Sequence, residues 1–298
     1  MNIGIIGLGK MGYAMGHNMK DKGHDVVVYN RSHERIHDMV NLGFKGAFNL
    51  EGFVALLDKP RTVWLMIPAG DEVTKTVQGL SPLLDMDDTI IDAGNSNYKD
   101  SINHYKYLKA KGINFLDVGT SGGVKGARYG ACFMVGGEDR IVERYRSVFD
   151  NLSVDYGWDH MGEAGAGHYV KMIHNGIEYG MMQAMGEGFE ILKSSEYDFD
   201  FEKISKVWNN GSIIESHLME LMHRAFKEQP DLDNVSGIVD SSGEGKWTVE
   251  EALRLDVSAP VISSSLFARF KSKDDVKFSE KVVATLRHQF GGHKIHKK

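Results

Sequence analysis

The chain has 298 residues, 42% of them apolar and 26% charged, with a formal net charge of −6. That is enough for two globular domains, and the acidic balance argues against a nucleic-acid or membrane-surface partner, since cations run together only at the short His/Lys-rich end. One cysteine, Cys132, excludes a disulfide framework and reads as inert core in a reducing compartment. No apolar run reaches the ~18 residues of a membrane span, and the N-terminus has no cleavable leader, so a cytoplasmic location is expected.

Residues Asn2 to Ile6 form an apolar run that stops at Gly7-Leu8-Gly9-Lys10-Met11-Gly12, after which Tyr13 to Lys22 carry a helical pattern. Strand, G-x-G-x-x-G and helix, followed by a second apolar run from Asp25 to Tyr29, make a βαβ unit suited to a dinucleotide. The glycines permit the tight turn and let a pyrophosphate approach free N–H groups at a helix N-terminus. Asn30-Arg31-Ser32 then replaces the carboxylate that usually binds the ribose of NAD. A guanidinium with two short hydrogen-bonding side chains suits a 2′-phosphate, which favours NADP and leaves NAD possible; the plain alternative is a surface arginine in a turn.

Further apolar strands recur at Thr62 to Ile67, Thr89 to Asp92, Asn114 to Val118 and Ala131 to Val135, with helical segments such as Ser101 to Lys111 between most of them. Alternation of this kind predicts an α/β Rossmann-like, doubly wound, mostly parallel sheet over residues 1–165. Two loops fall at strand ends, where such sheets bind ligands. Asp92-Ala93-Gly94-Asn95-Ser96 offers an amide to substrate or nicotinamide; Gly119-Thr120-Ser121-Gly122-Gly123 offers a hydroxyl and unblocked N–H groups that suit a carboxylate or phosphate. Each alone is more often an ordinary turn.

From Gly165 the pattern becomes helical, which predicts an all-α domain over 166–298, with helices at Gly167 to Ser194, Asp200 to Asn209, Glu215 to Lys227, Thr248 to Leu255 and Val261 to Phe270. In the first, Lys171, His174, Asn175 and Glu178 stand at i, i+3, i+4 and i+7 and share one face. Most such stripes are solvated ion pairs. Here Met172, Ile173, Ile177, Met181 and Met182 on the other side and the small run from Ala164 to Gly167 predict a helix buried nearly all round, so the stripe points to proton transfer. Ser242-Gly243-Glu244-Gly245-Lys246-Trp247 reads as a loop, and Arg269, Arg287 and His293 are candidate cations for an anionic substrate. The segment from Arg287 to His293 reads as a polar tail after the last helix. The thirteen histidines show no metal-ligand spacing, which leaves redox chemistry without a metal.

In order along the whole chain, G-L-G-K-M-G, N-R-S, D-A-G-N-S, T-S-G-G, K-M-I-H-N-G-I-E-Y, G-x-G-K-W-T and R-x-x-F-G-x-H resemble the decarboxylating 6-phosphogluconate dehydrogenases, within the β-hydroxyacid dehydrogenase superfamily. The likeness is to their short form. It implies oxidation of 6-phosphogluconate to ribulose 5-phosphate and CO2 in the pentose phosphate pathway, with Lys171 as general base and Glu178 as general acid. It places Asn95, Ser121, Gly122, Gly123, His174 and Asn175 on the sugar acid, and Tyr179, Arg269 and a neighbouring subunit's Arg287 and His293 on the phosphate. Gly7, Leu8, Gly9, Lys10, Met11, Gly12, Asn30, Arg31, Ser32, Ile67, Ala69 and Asn95 would border the cofactor, in a homodimer or dimer of dimers. Long forms have K-G-T-G-K-W where this chain has Ser242 and Glu244 in place of Lys and Thr, which weakens the expected phosphate grip. To act as a base near neutrality Lys171 needs a pKa roughly 3 units below ~10.4, about 4 kcal/mol, which burial can supply. Two alternatives stay open: a β-hydroxyacid dehydrogenase for a small unphosphorylated acid, and a non-catalytic dinucleotide-binding protein.

Overall fold

The computed structural model describes residues 1–291 and 293–296; Gly292 and the last two lysines of the basic end lie outside them. The chain divides into two compact units, Met1–Asn175 and Gly176–Lys298. In the first, β1 (Asn2–Ile6), α1 (Lys10–Asp21), β2 (Asp25–Tyr29), α2 (His33–Asn41), β3 (Lys45–Gly46), α3 (Leu50–Ala55), β4 (Thr62–Leu65), α4 (Asp71–Leu80), β5 (Thr89–Asp92), α5 (Tyr98–Lys109) and β6 (Asn114–Ser121) follow in turn. Then come α6 (Gly123–Tyr129), β7 (Ala131–Gly137), α7 (Asp139–Arg144), α8 (Arg146–Leu152), β8 (Ser153–Gly162) and the start of α9 (Ala166–Lys193).

The strands form one sheet in the order β3-β2-β1-β4-β5-β6-β7-β8. The order turns at β1, whose neighbours β2 and β4 feed helices on opposite faces, so a crevice opens at the carboxyl ends of β1 and β4. Helices on both sides explain why β4 and β5 are buried throughout instead of alternating. Met15, Met19, Trp64 and Phe149 fill one face, and Phe53, Val73, Leu80 and Phe115 the other.

The doubly wound, mostly parallel sheet and the helical second half agree with the sequence reading, except that the two-residue β3 and the edge strand β8 lie outside the strands it picks out. β7 runs antiparallel to β6, because the seven residues of α6 are too few for a parallel crossover, which takes about a dozen. β8 was not foreseen: only Gly157 of its ten residues is fully buried, so it has little apolar periodicity to read.

The second unit continues α9 and adds α10 (Phe201–Trp208), α11 (His217–Glu228), α12 (Gly243–Arg254), α13 (Pro260–Ser272) and α14 (Phe278–Gly291). Asp200 and Ser216 cap α10 and α11 by accepting the N–H groups of Lys203 and Met219, and Pro260 opens α13. Phe189, Met219 and Phe226 form its small core. Three expectations need correction here. The Ser242 to Trp247 segment is the cap and opening turns of α12, despite its glycines, because a side chain on Gly245 would stand 2.3 Å from the Tyr179 ring. Arg287 lies inside a helix, not in a tail: Phe278, Val282, Val283 and Leu286 give α14 an exposed apolar stripe. Nor is α9 buried nearly all round, since Ile177 and Met181 are 53% and 41% exposed. No described helix is long and apolar enough to cross a membrane.

Candidate active site

The turn after β1 has the shape its glycines imply. Gly7 has φ +99°, and a Cβ there would lie 2.5 Å from the Met66 carbonyl oxygen; one on Gly12 would lie 1.9 Å from the Gly7 oxygen. Gly9 faces open space, and α1 begins there without a side-chain cap, so the N–H groups of its first turn remain for an anion. The turn therefore fits a pyrophosphate. Lys10 and Met11 open α1, Leu8 is buried, and the Ile67 side chain packs against Gly7, with Ala69 exposed in the loop after β4. Asn30 is committed to structure: its Oδ1 accepts the Leu8 N–H at 2.9 Å and its Nδ2 donates to the Ser32 carbonyl at 3.1 Å. Arg31 reaches across to Glu72 at 3.2 Å.

Lys171 is 4% exposed on α9, and three glycines allow that burial. A Cβ on Gly119 would sit 2.3 Å from the Lys171 Cβ, one on Gly167 2.4 Å from the Asp117 and Met134 carbonyl oxygens, and one on Gly136 2.6 Å from the Asp117 side chain. The helix thus lies directly on β6 and β7. Lys171 Nζ donates to Asn175 Oδ1 at 2.6 Å and is 3.3 Å from His174 Nδ1, which is 2.9 Å from the same amide oxygen. His174 Nε2 stands 3.4 Å from the Ser121 hydroxyl. Lys171, His174, Asn175 and Ser121 are therefore one bonded group, with Gly122 and Gly123 beside it in left-handed conformations that suit glycine.

Asn95 is pinned instead of projecting freely. Its amide donates to the Thr120 carbonyl at 3.0 Å and accepts the Thr120 N–H at 2.8 Å, tying the β5 loop to the end of β6. Burial pushes the Cys132 thiol above its ordinary range, with Lys171 pulling weakly the other way, which suits an unreactive thiol.

Asp117 has a part that sequence reasoning missed. Fully buried on β6, it accepts the Gly165 N–H at 2.7 Å and the His168 N–H at 2.8 Å, and so caps α9 from another element. His168 is itself held by the Ser101 hydroxyl at 2.7 Å. An aspartate inside an apolar strand was the available signal.

In the second unit, Glu178 is half-buried on α9. Tyr179 is 4% exposed; its hydroxyl accepts the Ser242 N–H at 3.0 Å and lies 3.0 Å from the Ser242 hydroxyl. The Arg269 guanidinium stacks 3.3 Å from the centre of the Tyr179 ring and donates to the Asp240 carbonyl at 3.0 Å. Ser242 and Glu244 sit at the start of α12 beside this group. Arg287 is exposed on α14, and His293 is exposed just beyond it. No cluster of metal-binding side chains occurs among the described residues.

The family model for the NAD-binding domain of 6-phosphogluconate dehydrogenase matches residues 2–162, and that for the C-terminal domain of 6-phosphogluconate dehydrogenase matches residues 167–294. YqeC of Bacillus subtilis, which bears the 6-phosphogluconate dehydrogenase name provisionally, is 51% identical over 298 residues, covering 100% of both chains. The NAD(+)-dependent, decarboxylating 6-phosphogluconate dehydrogenase of Haloferax volcanii is 42% identical over 300 residues, covering 100% of this chain and 99% of its own. The Plasmodium falciparum 6-phosphogluconate dehydrogenase, solved apo, with its cofactor NADP+ and with its substrate 6-phosphogluconate, matches with a TM-score of 0.84 and 32% identity. That match covers 100% of this chain and 66% of the longer one.

Proposed function

The chain belongs to the 6-phosphogluconate dehydrogenase family, and from that premise we propose that it oxidises and decarboxylates 6-phosphogluconate to ribulose 5-phosphate. The observation that carries this reading is the buried Lys171, bonded to Asn175 beside His174 and Ser121. The dinucleotide, held by the turn from Gly7 to Gly12, supplies the hydride acceptor. Lys171 takes the proton of the C3 hydroxyl as C3 is oxidised, while His174, Asn175, Ser121, Gly122 and Gly123 orient the sugar acid. After CO2 leaves the β-keto acid, Glu178, two turns along α9, returns a proton to C1 of the enediol. Asn95 supports this site by fixing the Thr120 backbone.

Tyr179 and Arg269 are assigned to the phosphate end, with Arg287 and His293 supplied by a second copy of the chain. The exposed stripe on α14, with Ile177 and Met181 on α9, is apolar surface that a homodimer would cover. Arg31 and Ser32, with no carboxylate at the end of β2, favour NADP and leave NAD usable. The test is to supply 6-phosphogluconate with each cofactor and follow reduced nicotinamide together with CO2. Turnover only of unphosphorylated 3-hydroxy acids would move the chain to another branch of the superfamily, and cofactor binding without turnover of any acid would make it a binding protein.

A further inference from the structure

At the end of β2 the side chain that would ordinarily meet the adenosine ribose is an amide and not a carboxylate. The Asn30 amide is held in place, its oxygen accepting the Leu8 N–H and its nitrogen donating to the Ser32 carbonyl, with one N–H and one lone pair left over. Arg31 is the cation left to face a 2′-phosphate, and it already has a partner. Its Nη1 lies 3.2 Å from Glu72 Oε2, with the two side chains 88% and 50% exposed. Glu72 belongs to the first turn of α4, the helix that follows β4, so guanidinium and carboxylate come from the two strands that flank β1 at the crevice. An ion pair this exposed does little for folding, which leaves its position to be explained.

We infer that Glu72 is a specificity-determining residue that restrains the preference for NADP created by Arg31. This rests on the reading that the turn from Gly7 to Gly12 holds a dinucleotide with its ribose toward Arg31. A ribose with a free 2′-hydroxyl donates to the Glu72 carboxylate while Arg31 stays paired; α4 thereby supplies the acid that the end of β2 lacks. A 2′-phosphate, with a charge of about −1.5 to −2, must share or take over the guanidinium with a carboxylate beside it. The repulsion and the attraction to Arg31 offset each other, so the chain uses both cofactors. The competing explanation is that Glu72, like Asp71, only complements the dipole of α4.

Isothermal titration of 2′,5′-ADP and 5′-AMP, which differ by the 2′-phosphate alone, separates the two. For a unit charge about 5 Å from the phosphate in a water-like dielectric, removing it is worth about 4-fold per phosphate charge, or about 8- to 16-fold in all at low salt. Glu72→Gln should therefore raise the affinity ratio of 2′,5′-ADP to 5′-AMP by that factor, with the gain shrinking as salt is added and persisting in the Arg31→Ala background, where the carboxylate still repels the phosphate. Glu72→Lys should raise it further. The KM ratio of NADP to NAD should move the same way. A ratio unchanged in both Glu72 variants overturns the inference, whatever happens to the melting temperature, because a helix-dipole role shifts stability alone. If that ratio is unchanged while Arg31→Ala still lowers it, the assignment of Arg31 to the 2′-phosphate survives without Glu72. If Arg31→Ala weakens both ligands equally, it is the cofactor reading itself that fails, and the inference falls with it.

Discussion

Gly119→Ala is a one-methyl test of how closely Lys171 must be held. Gly119 lies in β6 opposite Met134 of β7, and its backbone is one any residue can adopt, so the added carbon acts only through space. That carbon would stand 2.3 Å from the Lys171 Cβ, 2.9 Å from its Cγ and 3.0 Å from the Gly167 oxygen. Non-bonded carbons rest at roughly 3.5–4.0 Å, so α9 must withdraw by about 1 Å or more. Overpacking of this kind costs about 1–3 kcal/mol, which for a chain of this size lowers the melting temperature by about 2–12 °C. A displacement of about 1 Å at a proton-transferring group costs on the order of 10²-fold in rate. The assay is kcat at saturating substrate and cofactor, beside thermal unfolding and titration with 2′,5′-ADP, whose site at β1 and β2 should be untouched. A lowered melting temperature with wild-type kcat would show that Lys171 tolerates displacement and is not the proton acceptor; no change in either would mean that the strand and helix do not touch as described.

Lys171→Met should lower turnover by at least about 10²- to 10⁴-fold while 2′,5′-ADP affinity stays intact, and near-normal turnover would end the proposed mechanism. Asp117→Ala leaves the buried Gly165 and His168 N–H groups without their acceptor, so denaturant unfolding should show a loss of about 2–5 kcal/mol; unchanged stability would mean that the cap is dispensable. Mixing Lys171→Ala with Arg287→Ala subunits under exchange should restore activity if α14 serves its partner, since a mixed dimer then holds one site free of lesions. If Arg287 serves its own subunit, every site keeps a lesion, and activity stays at the average of the parents.

Much of this protein is written locally in its sequence. The glycine turn after β1, the doubly wound alternation and the i, i+3, i+4, i+7 stripe on α9 depend on backbone freedom and helical period, which neighbouring residues set by themselves. Lys171, His174 and Asn175 meet for that reason. What the tertiary structure decided involves residues far apart in the chain. The direction of β7 and the existence of β8 depend on sheet partners. The start of α12 depends on the Tyr179 ring beside Gly245, which overrides the poor helical propensity of glycine. Asn95 reads as a ligand group from its type alone, and only the fold shows that its amide is also tied to the Thr120 backbone 25 residues on. Asp117 caps a helix 48 and 51 residues away, and Glu72 meets Arg31 across 41 residues. A side chain's type and spacing declare what it can bond; which partner is within about 3 Å depends on how the intervening chain folds, and no local pattern encodes that distance.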